Sequence, residues 1–300
     1  TWGDSFTLAS KPFNYRIMAG IGDNTSKVTK YDNPNRTLTD PYEGQQLGEI
    51  WGYVVDGYFK TDEEARNYKV DQSFVNQMIN ASALDNGLHA GDLKFVDLDG
   101  NNKIEQTTSA NDRKDMKVIG NSLPRYNYNF GISADWYGID FSVLFQGIGK
   151  QNWYPGAETS MFWGPYSRPY ASFIPSDFMS QVWSEENTNA YFPRPRGYVA
   201  LGSNRELAVV NTKYLQNLAY CRLKNLSIGY TLPDKWLSKI GFEKIRVYFS
   251  GENLLTFTKL HSDYIDPEQA SASNSWKTSK SDANIYPWAK TYSFGVDITF

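Results

Sequence analysis

The chain closes on KTYSFGVDITF, where Tyr292, Phe294, Val296, Ile298 and Phe300 are apolar or aromatic. Thr291, Ser293, Gly295, Asp297 and Thr299 between them are polar or small. A strict period of two marks a strand with two unlike faces. The same ladder recurs upstream. In PFNYRIMAGIG the apolar set is Phe13, Tyr15, Ile17, Ala19 and Ile21; in RYNYNFGISADW it is Tyr126, Tyr128, Phe130, Ile132, Ala134 and Trp136. GIDFSVLFQG contributes Ile139, Phe141, Val143 and Phe145, and KIRVYFSG contributes Ile245, Val247 and Phe249. One ladder is broken. In YCRLKNLSIGYTLP, Leu226, Ile228 and Tyr230 alternate cleanly, but Arg222 and Lys224 share their parity. Either long basic side chains reach an interface or a bulge switches faces.

The spaces between ladders are unequal in a regular way. Tyr137-Gly138 predicts a tight turn between two ladders, and a long irregular stretch follows over about 149–211. TLPDKWLSKIGF predicts a short connection with one helical turn, and a second long stretch covers about 256–287. Short, long, short, long is the rhythm of an outer-membrane barrel with brief periplasmic turns and extended external loops. Trp136, Tyr137 and Trp236 fall at predicted periplasmic turns, where Tyr and Trp favour the membrane interface. A soluble β-sandwich also alternates.

Composition favours the barrel. Nine Trp, 21 Tyr and 17 Phe make 16% of the chain, while only 40% of residues are hydrophobic. Many aromatics with few aliphatics suit strands that show an apolar environment only every second residue. No run of about 18 apolar residues predicts a membrane-crossing helix. A net charge of -3 gives no support to a nucleic-acid surface. The single cysteine, Cys221, allows no intrachain disulfide, and His89 and His261 lie too far apart to suggest a zinc site or a His-based triad. TWGDSFTLAS does not read as a signal peptide, so a mature product or a piece of a longer one is expected. Catalytic motifs are not found, and the acidic run Asp62-Glu63-Glu64 reads as the start of a helix in TDEEARNY. No enzyme is expected.

One string suits a hard cation. DLDGNNKIE places oxygens at Asp97, Asp99 and Asn101, at the carbonyl of Lys103 and at Glu105, as in positions 1, 3, 5, 7 and 9 of an EF-hand loop. Position 6 is Asn102, which tolerates the left-handed conformation. Position 12 is Thr108, so a further carboxylate, such as Asp112, must be recruited for Ca²⁺. The same string also reads as a solvated Asx-rich turn.

The ordered strings GEIWGYVVDGYFKTDEEA, GDLKFVDLDGNNKIE, NDRKDMKVIGNSLPRYNYNFG and DFSVLFQGIG resemble the SusC/RagA family of TonB-linked outer-membrane transporters. YCRLKNLSIGYTLP, IRVYFSGENLLTFTKL and the terminal SFGVDITF resemble that family's final strands. The resemblance runs from about Gly48 to Phe300, with residues 1–47 fitting as preceding barrel strands. It implies an all-β fold: residues 1–300 as the C-terminal part of a transmembrane antiparallel β-barrel of about 22 strands with a plug inside. The spacing of roughly 10 residues per strand predicts about eight to ten of those strands here. Plug and TonB box are not read in this chain.

The implied setting is the outer membrane of a Gram-negative cell of the Bacteroidetes. The implied activity is active import of oligosaccharides or peptides, energised by the TonB system. Implied partners are the rest of the transporter with its plug, outer-membrane lipid, and a SusD-like surface lipoprotein that covers the barrel as a hinged lid. A passive porin-like channel and a secreted carbohydrate-binding β protein are the alternatives. Tyr292, Phe294, Val296, Ile298 and Phe300 are expected on the closing strand, facing lipid, with Asp297 and Thr299 toward the lumen. In the first long loop, Trp153, Tyr154, Phe162, Trp163 and Tyr166, together with Tyr170, are candidates for stacking on substrate or packing against the lid. The alternative is that these rings pack the loop against itself.

Overall fold

The computed structural model describes residues 1–76, 87–167, 173–195, 197–202, 205–237, 241–270, 280–281 and 286–300. In chain order the strands are β1 (Trp2–Leu8), β2 (Lys11–Gly22), β3 (Glu49–Tyr53), β4 (Val55–Tyr58), β5 (Leu93–Phe95) and β6 (Met116–Asn121). They continue with β7 (Arg125–Trp136), β8 (Ile139–Lys150), β9 (Asn152–Pro155), β10 (Gln216–Asn217), β11 (Tyr220–Thr231), β12 (Lys244–Thr258), β13 (Lys280–Ser281) and β14 (Thr291–Thr299). Helices are single turns: α1 (Asp62–Arg66), α2 (Ser160–Trp163) and α3 (Asp234–Leu237), with a few 3₁₀ turns besides. None of the described helices is long and apolar enough to cross a membrane.

Seven strands form one antiparallel sheet in the order β1-β2-β7-β8-β11-β12-β14. Every predicted ladder lies in it. The count is below the eight to ten expected from spacing, because the described residues of 23–124 contribute no strand to this sheet; only residues 1–22 of the first 47 join it. The remaining short strands pair among themselves.

Turn chemistry sets which end each connection occupies. Ala9 and Ser10 join β1 to β2 with φ of 48° and 63°, and Tyr137 and Gly138 join β7 to β8 with φ of 49° and 83°. Two central residues at positive φ are what the tight type I′ hairpin demands, because its twist matches the strands. The β11–β12 connection is also short and carries α3. Strand alternation then makes the β2–β7, β8–β11 and β12–β14 connections leave and re-enter the sheet at the opposite end. The predicted two long loops are therefore three, and the largest precedes β7.

Register keeps the apolar side chains of all seven strands on one face. Ile139 pairs with Tyr230, Tyr230 with Val247 and Val247 with Val296; one step along, Phe141, Ile228, Phe249 and Phe294 form the next row. That face is not covered. Phe294 is 83% exposed, Val296 58% and Ile298 47%. The hydrophobic core lies instead among the long connections, where Tyr58, Trp153, Trp163, Tyr166, Phe192 and Tyr214 are buried together. Fully burying one such side chain contributes about 1.5–3 kcal/mol, so the connections form a packed body and not loose loops.

The broken ladder in β11 is a bulge. Leu223 and Asn225 pair with the consecutive residues Phe145 and Leu144 of β8, leaving Lys224 unopposed. On the β12 side the same break faces the span from Glu252 to Leu255, in which Asn253 has φ 53°. The extra residue inverts parity. Arg222 and the apolar Leu226 therefore fall on opposite faces, although both positions are even.

Candidate functional site

The wall and the body each present a candidate surface. On the wall, the face opposite the apolar one is polar and tied by ions. Arg246 of β12 donates from Nη2 to Asp140 Oδ1 at 2.6 Å and from Nη1 to Asp297 Oδ2 at 3.2 Å. Asn14 of β2 donates to Asp135 of β7 at 2.7 Å. Asp297 thus sits where the alternation of the last strand puts it, opposite Phe294, Val296 and Ile298. Tyr292 and Phe300 are exposed with them on the apolar side. Phe249 packs against Phe294 at 5.1 Å between ring centroids, and Phe242 against Phe300 at 5.2 Å.

Arg222 begins the body. It is buried, its Nη2 lies 2.7 Å from both oxygens of Asp266, and its Nη1 donates to Glu268 Oε2 at 2.5 Å. Lys224, the bulged residue, donates to the same Glu268 carboxylate at 2.8 Å. The third long connection is thereby fastened to β11 by two cations that the broken ladder left unexplained.

Trp153, Tyr154, Phe162, Trp163 and Tyr166 come together, but in the core. Each is at most 2% exposed. Phe162 meets Trp163 edge-on at 4.8 Å, Trp163 meets Tyr214 at 5.1 Å and Tyr166 stacks on Phe192 at 5.9 Å. Their polar atoms are used internally: Tyr154 Oη donates to Leu207 O at 2.8 Å, Trp163 Nε1 to Gly156 O at 2.9 Å and Tyr166 Oη to Pro193 O at 2.6 Å. These rings have no surface for a substrate or a lid; they pack the loop against itself. Tyr170 lies outside the described residues. The helix start read at Asp62 is present, with Thr61 Oγ1 accepting from the Glu64 amide and Glu64 reaching back to the Lys60 amide at 2.8 Å.

The acidic loop is well ordered by its own side chains. Asp97 accepts the amides of Gly100 and Asn102, each at 2.7 Å, Asp99 accepts that of Asn101 at 3.1 Å, and Asn101 accepts that of Lys103 at 2.8 Å. Asn102 takes the left-handed conformation, φ 62°, as its position requires. The third carboxylate gathered with Asp97 and Asp99 is Asp115, with one oxygen of each within 4.8 Å of the others. Asp112, the residue expected to help, pairs instead with Lys114 at 3.6 Å. Asp115 is fully buried and accepts the amides of Leu98 and Glu105 at 2.8 and 2.7 Å. Burial pushes its pKa up. Burial also acts on Asp97, but the amides of Asn102, Gly100 and Asn101 outweigh it and hold that carboxyl below its ordinary value. Glu105 stands aside, receiving Asn101 Nδ2 at 3.1 Å, with Lys114 at 3.7 Å and Lys103 at 3.9 Å. A hard cation at this loop would therefore draw on Asp97, Asp99 and Asp115 before Glu105. The signal that points to Asp115 is its place just before β6, which returns the chain to the loop.

No family model matches the chain. TonB-dependent receptor P3 of Formosa agariphila is 29% identical over 264 residues, covering 86% of this chain and 22% of the receptor. TonB-dependent receptor P39 of the same organism is 25% identical over 331 residues, covering 99% of the chain and 30% of the receptor. The chain thus spans less than a third of either relative. Among solved structures, the RagAB peptide importer in its open-open state superposes with a TM-score of 0.63 at 19% identity, covering 99% of this chain and 28% of that one. The closed-closed state gives 0.58. Ordered motifs, two-faced wall and relatives converge on a likeness to TonB-dependent receptors of the SusC/RagA type.

Proposed function

We propose that this chain forms part of the barrel wall and external loops of an outer-membrane, TonB-dependent importer of oligosaccharides or peptides. The observation that carries the reading is the uncovered apolar face, continuous across seven antiparallel strands, with every long connection at one end of them. In water such a face would aggregate; in a bilayer it is the surface a barrel needs. Both edge strands, β1 and β14, pair on one side only. In lipid each free edge must be paired, which calls for further strands that complete a closed barrel. Those strands, the plug, the TonB contact and a SusD-like lipoprotein over the loops belong to the same proposal, supported by the likeness to the RagAB importer. No catalytic role is assigned. A Ca²⁺ ion held by Asp97, Asp99 and Asp115 is a further part of the reading, supported by their convergence.

The test places single cysteines in the intact transporter after Cys221→Ser. Phe294→Cys and Val296→Cys should react with lipid-soluble reagents and resist water-soluble ones, and Asp297→Cys should do the reverse. Equal labelling of Phe294→Cys and Asp297→Cys by a water-soluble reagent would remove the barrel reading. Loss of uptake when the TonB system is disabled separates an active importer from a passive channel.

A further inference from the structure

The uncovered face of the wall is not smooth. A groove of about 520 Å³ crosses β8, β11, β12 and β14 toward the end with short turns. One bank is the row Ile139, Tyr230 and Val247; the other is Ile228, Phe249 and Phe294 of the next row. Its floor is backbone at Gly229 and Tyr248, which alternation turns to the polar face. A hydrocarbon chain laid here meets apolar side chains on two sides, whereas one on the open wall meets them on one.

The short-turn end of the groove carries cations. Ile139 opens β8 directly after Tyr137-Gly138. A Cβ on Gly138 would lie 3.3 Å from the Tyr230 ring, so this turn rests against the bank. Lys11 Nζ lies 5.0 Å from the centroid of the exposed Tyr137 ring. Beyond Tyr230 and Val247, α3 joins β11 to β12 and carries the exposed Lys235 and Trp236. Neither lysine forms an ion pair with a described residue. An ammonium without a counter-ion, beside Tyr and Trp at the end of an apolar surface, is placed for a phosphate at the membrane interface.

Resting on the barrel-wall reading above, we infer that this groove is a specific site for a glycerophospholipid of the periplasmic leaflet. One acyl chain lies between the two banks, and the phosphate sits between Lys11 and Lys235. Short turns mark the periplasmic side of a barrel, whose leaflet is built of two-chain phospholipids. The lipopolysaccharide of the opposite leaflet meets the wall at the end with the long connections. An uncharged two-chain lipid fills the groove but leaves both ammonium groups unmatched.

The experiment uses the intact transporter that contains this chain, in detergent, with dioleoylphosphatidylglycerol and dioleoylglycerol titrated by native mass spectrometry. The first phosphatidylglycerol should bind about tenfold more tightly than those that follow, and more tightly than dioleoylglycerol. Ile228→Trp, and the milder Val247→Phe, should each weaken both lipids; about two methylenes displaced from the groove correspond to about tenfold. Lys11→Gln with Lys235→Gln should close the gap between the two lipids without weakening dioleoylglycerol. Ile132→Trp, exposed on the same face at β7 but outside the groove, is the control and should alter neither. Binding without a distinct first lipid, equal effects of Ile228→Trp and Ile132→Trp, a gap that survives the lysine replacements, or displacement by glycerol phosphate, which lacks chains, would each overturn the inference. If Val296→Cys reacts with lipid-soluble reagents as a barrel wall requires and no first lipid is singled out, this site alone falls. If water-soluble reagents label Val296→Cys as readily as Asp297→Cys, the wall reading falls and the groove with it.

Discussion

Asp140 and Arg246 stand on strands that are not neighbours, yet their side chains meet in a two-point ion pair across the intervening strand. Arg246 Nε donates to Asp140 Oδ2 at 2.8 Å and Nη2 to Oδ1 at 2.6 Å. What lies between them on β11 is Gly229. A Cβ there would sit 2.5 Å from Arg246 Nη2 and closer still to the carboxylate. The missing side chain is the gap through which β8 and β12 are linked, and Asp297 extends the link to β14. Three charges thus staple the polar face near the end with short turns.

Gly229→Leu should part Asp140 from Arg246 and overpack the site, costing about 1–3 kcal/mol. Gly229→Ala should cost less. The temperature at which the folded barrel loses its heat-modifiable migration should fall in that order. Ser227→Val, one step away on the same face, is the control; an equal drop there would refute a role for the gap.

The bulge at Lys224 decides which side of the wall Arg222 faces. Deleting Lys224 restores a regular ladder and turns Arg222 toward the apolar side, where an arginine costs about 2–4 kcal/mol at mid-bilayer and less near an interface. Lys224→Ala keeps the residue count and hence the bulge. The deletion variant should be depleted from the outer-membrane fraction while Lys224→Ala accumulates normally. Comparable levels of the two would refute a role for the register at this position.

Arg222 and Asp266 form a buried pair, 2% and 6% exposed. Removing one partner strands the other charge, so Arg222→Ala should cost about 3–5 kcal/mol of local stability. Residues 259–270 should then become open to proteolysis. Replacing both residues, as in Arg222→Met with Asp266→Leu, should recover most of the loss because no charge is stranded. If the single and double variants are cut at the same rate, the pair does not hold the connection to the wall.

Calcium should bind at Asp97, Asp99 and Asp115 with an affinity in the range of extracellular modules, about 10⁻⁴–10⁻³ M. At about ten times the dissociation constant it should stabilise the body by about 1.4 kcal/mol. Asp115→Asn and Asp97→Asn should abolish the calorimetric signal, whereas Asp112→Asn should not. As pH falls, Asp115, whose pKa burial raises, takes up a proton before Asp97, whose pKa the loop amides depress. Affinity should therefore decline first through the Asp115 titration. A signal that survives Asp115→Asn would place the ion elsewhere.

The wall was legible because a two-faced strand writes its environment into every second residue, and positions 126–136 and 291–299 do so without interruption. The turn at Tyr137-Gly138 was legible for the same reason, since few residue pairs accept positive φ. Beyond the wall the local signal ends. Arg222 and Lys224 are compatible with a bulge or with snorkelling, and only the pairing of Leu223 and Asn225 with consecutive residues of β8 decides it. The burial of Trp153 and Trp163 depends on Phe192 and Tyr214, far along the chain, and an aromatic run looks the same whether it faces a sugar or its own fold. The extra carboxylate of the acidic loop arrives by tertiary return of the chain at Asp115, not at Asp112, the acidic residue that follows the loop more closely in sequence.

His261 joins the body through its ring and should make the body sensitive to acid. The imidazole stacks on Tyr191 with centroids 3.5 Å apart, and its Nε2 lies 2.8 Å from Gln181 Oε1. Burial is the main influence on its pKa and lowers it; Asp263 and Asp177 act in the opposite sense, and Lys213 adds to the lowering. The folded pKa is therefore below that of the unfolded chain, about 6.5. As pH falls from neutral, the unfolded state binds the proton first, so stability is complete above about 6.5 and declines as pH drops toward the folded value. Thermal unfolding of the body, followed by tryptophan fluorescence between pH 7.5 and 5, should show this decline in the native protein. His261→Asn should be less stable at neutral pH, having lost the stacked ring, but flatter across the same range. Parallel pH profiles for the two proteins would assign the acid sensitivity to other groups.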